Sequence, residues 1–137
     1  AICDGVEVRG TVSGGSLALG ASYDVVSVGL EVISKCKLLP PEAASATGTA
    51  TGLMKRINEI LVSVYRTVGL QAGEDGGEME YVLTGDDGVV LETLQTGDFS
   101  IPGTMGWSKT SELYLEAGGV WPCTILLVVL YLWASEK

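Results

Sequence analysis

The 137-residue sequence contains no histidine. That removes Ser-His and Cys-His dyads, imidazole metal ligands and the commonest general base. Cations are also scarce, with 8 Lys and Arg against 17 Asp and Glu, for a formal net charge of -9. Such a balance argues against a protein that grips duplex nucleic acid, because gripping needs cationic side chains against phosphate. Four Pro exclude the Pro-rich and collagen-like classes. Three Cys at wide spacing, Cys3, Cys36 and Cys123, form neither a disulfide framework nor a zinc signature. They read as buried free thiols of a reducing compartment. No run reaches the roughly 20 apolar residues of a membrane-spanning helix. The nearest stretch, Val120 to Trp133, is broken by Pro122, and its continuous part, Ile125 to Trp133, reads as a buried strand.

What is abundant is glycine, with 19 residues set among Val, Thr, Leu and Ile. Each Gly costs about 1 kcal/mol inside a helix, so this composition points to short strands and tight turns. Hydrophobic residues at 47% argue against disorder. Turn signals fall at Asp4-Gly5, Gly14-Gly15, Gly69 to Gly77, Gly85-Asp86-Asp87-Gly88, Thr96-Gly97-Asp98, Pro102-Gly103 and Gly118-Gly119. Between them lie period-two segments. The cleanest is Tyr23 to Lys37, where Val26, Val28, Leu30 and Val32 share a face expected to be buried. Residues 42–52, rich in Ala, Ser, Thr and Gly, read as a long loop. Leu53 to Val68 fits a helical stripe through Ile57, Ile60, Leu61, Val64 and Val68. It also fits a strand face through Ile60, Val62 and Val64, and its β-branched density favours strand. Val89 to Leu94 and Met79 to Leu83 read as further strands, and Thr124 to Leu132 as a last one apolar on both faces. The expectation is a single all-β domain over residues 1–137, an antiparallel β-sandwich or barrel of about eight short strands.

Catalytic constellations are poorly supported. Asp4 with Asp98, or Glu112 with Glu116, could pair as acid and base, but nothing in their spacing supports it. Glu74, Asp75, Glu78 and Glu80, with Asp86 and Asp87, form an acidic cluster that lacks the alternation of a calcium loop. It reads as a solvated face. The glycines of Gly10 to Gly20 and Gly85 to Gly88 are not followed by the Lys-Ser/Thr of a phosphate loop. Lys55-Arg56 is the only basic pair and reads as ion pairing or protection of a strand edge. Trp107, Trp121 and Trp133 read as core or interface anchors, with a sugar platform using Trp107 and Tyr114 as the alternative. No catalytic residue, cofactor or metal site is assigned.

An ordered set of motifs adds to this reading. It runs Asp4-Gly5, Gly15-x-Leu17-x-Leu19, Ala21-Ser22-Tyr23-x-Val25-x-Ser27-Val28-Gly29-Leu30 and Leu38-Leu39-Pro40-Pro41-Glu42-Ala43. It continues with Gly48-Thr49-Ala50-Thr51-Gly52-Leu53-Met54-Lys55-Arg56-Ile57, Val64-Tyr65-Arg66-Thr67-Val68-Gly69, Leu94-Gln95-Thr96-Gly97-Asp98-Phe99 and Gly106-Trp107. The set resembles the C-terminal region of the tail tubular, or nozzle, proteins of short-tailed bacteriophages, over nearly the whole chain. The resemblance implies a hexameric structural protein of the virion tail, assembled in the bacterial cytoplasm. It implies neighbours such as the adaptor, portal and fibres, and DNA passing through a lumen without stable binding. It implies no catalysis and no metal, and it makes Leu53 to Val68 largely strand. Proteins of that family run to several hundred residues, with a large platform before this region. The chain is therefore expected to be a fragment or module of a longer nozzle protein. A receptor- or carbohydrate-binding module of a tail tip is the competing reading, and a small acidic hydrolase the weakest.

Overall fold

The computed structural model describes residues 1–42, 44–45, 48–49, 52–74, 77–103 and 105–135, with the backbone alone at 44–45 and 48–49. Every regular element among them is a strand. In chain order these are β1 (Ile2–Cys3), β2 (Val6–Glu7), β3 (Val12–Ser13), β4 (Ser16–Leu17), β5 (Val26–Ser27), β6 (Ser34–Lys37), β7 (Ala44–Ser45) and β8 (Gly48–Thr49). There follow β9 (Lys55–Thr67), β10 (Leu70–Gly73), β11 (Met79–Tyr81), β12 (Gln95–Pro102), β13 (Tyr114–Ala117) and β14 (Ile125–Ala134). The protein is all-β and every named pairing is antiparallel. Fourteen strands replace the expected eight or so, because many are two-residue pieces that periodicity does not resolve.

Two sheets carry the core. One has the order β12-β9-β14 and the other β11-β10-β13-β6. A single apolar cluster takes Ile57, Ile60, Val62, Val64 and Ile101 from the first sheet and Leu70, Ala72 and Leu115 from the second. Val82, Leu83, Met105 and Leu113 fill it from the connections. The chain passes from β9 to β10 through Gly69, whose φ of 71° suits a residue without a side chain.

β9 owes its ambiguous pattern to two bulges. Glu59 faces Tyr131 and Ile57 faces Leu132, so Asn58 is the extra residue between them. Inward residues therefore run Lys55, Ile57, then Ile60, Val62, Val64, and the spacing of three at the bulge imitates a helical stripe. At the other end Tyr65 and Arg66 together oppose Thr96. Arg66 takes a φ of 46° and donates its amide to Thr96 Oγ1 at 3.0 Å. The inward row then resumes at Thr67.

Several expectations are corrected. Of the three thiols expected to be buried only Cys3 is, whereas Cys36 and Cys123 are exposed. Tyr23 to Lys37 is not one half-buried strand: only β5 and β6 are paired, and Val28, Leu30 and Val32 are 64%, 89% and 64% exposed. The alternation is real, but among the described residues no sheet lies over it. Val89 to Leu94 is reduced to one bridge between Thr84 and Val90. Thr96-Gly97-Asp98 is bulged strand within β12 and not a turn. Within the long loop expected at 42–52, Ala44–Ser45 and Gly48–Thr49 pair as a small hairpin, while 43, 46, 47, 50 and 51 lie outside the described residues. Lys55 does not guard an edge, since β9 is the central strand of its sheet. It is 1% exposed, with its Nζ donating to the Pro41 carbonyl at 2.8 Å.

Candidate assembly surface

β14 is an edge strand: among the described residues it pairs with β9 alone. It is ten residues long and carries no charge. Its inner residues Ile125, Val128, Leu130 and Leu132 pack on the core. The expectation of a strand apolar on both faces and covered on both holds for composition but not for cover. Leu126, extruded by a bulge between Ile125 and Leu127, is 66% exposed, and Leu127, Tyr131 and Trp133 are 52%, 50% and 58% exposed. A long, apolar edge of this kind is a template for pairing with another chain unless something covers it.

The outer face of the same sheet is polar away from β14. Register places Asp98 beside Ser63 and Ser100 beside Leu61. Ser63 donates its hydroxyl to Asp98, and Ser100 donates to Glu59. The row is completed by Arg56, opposite Trp133. The Nε of Arg56 is buried without a hydrogen-bond partner among the described residues. Apolar contact area and unpaired backbone thus share one margin of the sheet, with a half-sheltered cation on the central strand beside it.

β14 also borders a gap in the sandwich. A cleft of about 330 Å³ opens between the start of β14 and the edge strand β6, lined by Cys36, Leu70, Leu115, Trp121, Cys123 and Ile125. Leu70 and Leu115 belong to the core, so this seam exposes the interior between two unpaired edges. Desolvation there pushes the Cys123 thiol above its ordinary pKa, partly opposed by a hydrogen bond with Thr67, even though the residue keeps substantial exposure. Raising a thiol pKa removes thiolate at a given pH. Iodoacetamide is therefore expected to label Cys123 slowly near pH 8 and fast only well above it, while buried Cys3 stays unmodified in the folded protein. Mass spectrometry of tryptic peptides reads this directly. Fast labelling of Cys3 would contradict the fold.

The acidic residues singled out from the sequence are only partly assembled. Glu74 and Glu78 sit exposed on the turn from β10 to β11, closed by the Gly77 amide donating to the Glu74 carbonyl at 3.1 Å. Glu80 is half-buried in β11, and Asp75 lies outside the described residues. Among the described residues no group of three or more His, Cys, Asp or Glu is placed to hold a metal ion. The carboxylates weighed as acid-base pairs are tied up elsewhere. Asp4 caps the amides of Asp24 and Val25 at 3.1 and 2.7 Å. Glu112 lies 2.6 Å from the Lys37 Nζ, raising that lysine's pKa, and Glu116 lies 3.9 Å from the Lys35 Nζ.

A larger cleft of about 900 Å³ has Glu7, Arg9, Glu31, Glu92 and Glu116 on its walls. Arg9 bridges Glu7 at 2.6 Å and Glu31 at 3.4 Å. Trp121 lines both clefts, and Trp107 is 46% exposed on the loop after β12. The ring of Tyr114, the other half of the sugar-platform alternative, already stands under Lys35 and Lys37, 5.0 and 5.7 Å from its centroid. The apolar composition of β14, with Trp133 on it, was legible in the sequence, but its exposed margin was not, since the segment read as a buried strand. The seam beside it was missed, because it depends on β6 and β14 being edges of facing sheets, which no local pattern records.

Comparison with models of known protein families and with characterised proteins returns no match.

Proposed function

We propose that this chain is a structural component of the tail nozzle or tube of a short-tailed bacteriophage, repeated around an axis to form part of a conduit for DNA. The observation that carries the reading is the charge-free, exposed margin of β14 on a chain of net charge -9. Like-charged copies repel, so the surface through which they can meet is one that carries no net charge. β14 supplies it, together with unpaired backbone and Trp133 as an anchor. The ordered motifs resembling nozzle proteins supply the setting: a hexamer in the virion tail, with adaptor, portal or fibres as neighbours.

The charge suits a passage for a polyanion. A wall rich in Lys and Arg would release counterions from DNA and hold it. An acidic wall repels the duplex and leaves it mobile. In this reading the chain catalyses nothing and binds no cofactor. The exposed turn carrying Glu74 and Glu78, with Glu80 beside it, is the candidate for the lumen. Replacing all three with Lys is expected to slow genome ejection from assembled particles, more strongly at low salt because the new attraction is screened. Ejection at the unaltered rate would remove that turn from the lumen.

A further inference from the structure

The segment between β5 and β6, residues 28–33, belongs to no strand and has no strand partner among the described residues. It alternates apolar side chains, and Leu30, at 89%, is the most exposed large hydrophobe described. Among the described residues no strand covers it, and Val28, Leu30, Val32 and Ile33 stay largely exposed. One copy therefore presents two unfinished elements: an apolar arm without a sheet, and an apolar sheet edge without a neighbour.

We propose that the arm at 28–33 of one copy pairs with the free edge of β14 in the next copy and closes the seam between β6 and β14. The occupant is a second copy for two reasons. First, the parts match in chemistry. β14 carries no charge, and the arm carries one, Glu31. That carboxylate is opposite in sign to Arg56, which lies on the neighbouring β9 opposite Trp133 and whose buried Nε has no hydrogen-bond partner among the described residues. Its present link to Arg9 is an exposed contact of 3.4 Å, which is easily exchanged. Second, arm and edge are different surfaces of the same chain. Their contact is heterologous, so it leaves one free arm and one free edge at every step and closes only as a ring. A strand added at an exposed edge gains main-chain hydrogen bonds from the edge and specificity from alternate side chains. Val32 already lies on the wall of the seam cleft, so the arm starts from beside the gap it would close in its neighbour.

This inference rests on the ring reading, and the test separates the two. The unaltered chain and the double variant V28D/L30D are compared by sedimentation velocity over a concentration series. Both substituted side chains are exposed in the single copy, so the variant is expected to keep the far-ultraviolet circular dichroism of the parent. Burial of two such side chains is worth about a hundredfold or more in association. The expected result is an oligomer for the parent and a midpoint of association shifted by at least about a hundredfold in the variant. A second measurement fixes the contact. In a C36S/C123S background, L30C chains and V129C chains are treated with a bismaleimide separately and mixed. Cross-linked pairs are expected to form efficiently only in the mixture. An oligomer unmoved by V28D/L30D, with no preference for the mixture, would overturn the arm exchange and leave the ring standing. A parent chain that stays monomeric throughout would overturn both.

Discussion

Gly103→Ala is expected to be the most damaging single-methyl change in the protein. Gly103 is buried just after β12, and its amide donates to the Asn58 carbonyl at 2.8 Å, on the residue that forms the bulge in β9. A Cβ at this position would press on the Ile57 carbonyl oxygen and lie 2.6 Å from the Ile57 carbonyl carbon and 3.0 Å from that of Asn58. All three are backbone atoms of the central strand, so no side-chain rotation relieves the clash. The chain must lose the hydrogen bond, shift the bulge, or both. Together these cost about 3 kcal/mol or more, a large part of the stability of an ordinary domain. Urea unfolding of purified protein measures it. A loss below about 1 kcal/mol would mean that the close approach of residue 103 to β9 is misplaced.

The second large effect is a contrast between neighbours. Ile60 is 2% exposed, and in the register of the sheet it stands between Ile101 of β12 and Leu130 of β14. Ile60→Ala removes buried methylene and methyl groups from the middle of the core and leaves a cavity, at a cost of about 2–5 kcal/mol. Leu61, the next residue, faces the opposite side of the sheet beside Ser100 and Val129 and is only half-buried. Leu61→Ala is expected to cost about 1 kcal/mol or less in the single chain. A helix would give a different ordering, with 57, 60, 61 and 64 on one stripe and comparable losses at Ile60 and Leu61. Equal losses at the two positions would therefore contradict the strand and its Asn58 bulge.

That bulge shows why some of the fold was legible and some was not. Turns that depend on a residue's own backbone were readable: Asp4-Gly5 and Gly14-Gly15 all have positive φ and join β1 to β2 and β3 to β4. β9 was readable only as a preference, because an extra residue at Asn58 breaks the period of two in the middle of the strand. Register-dependent features were invisible. Thr96-Gly97-Asp98 carries turn residues, yet it lies within β12 because Arg66 across the sheet adopts the left-handed conformation that accommodates it. Lys55 reads as a surface cation, and only the tertiary arrangement brings the Pro41 carbonyl to its ammonium group.

The alternation from Tyr23 to Lys37 is the most informative discrepancy. Period-two patterning states that one face is apolar, not what covers it. The single copy leaves Val28, Leu30 and Val32 in water and leaves the margin of β14 open as well. The acidic residues and the Trp residues were identifiable by type, but their roles depend on which surfaces meet, and surfaces between copies leave no local signal in one chain.

If the protein is repeated around an axis, electron images of the purified, unaltered chain at a concentration that saturates association are expected to show closed rings of uniform copy number with an open central channel. A field of single particles of about 14.3 kDa, the mass of one chain, would contradict it.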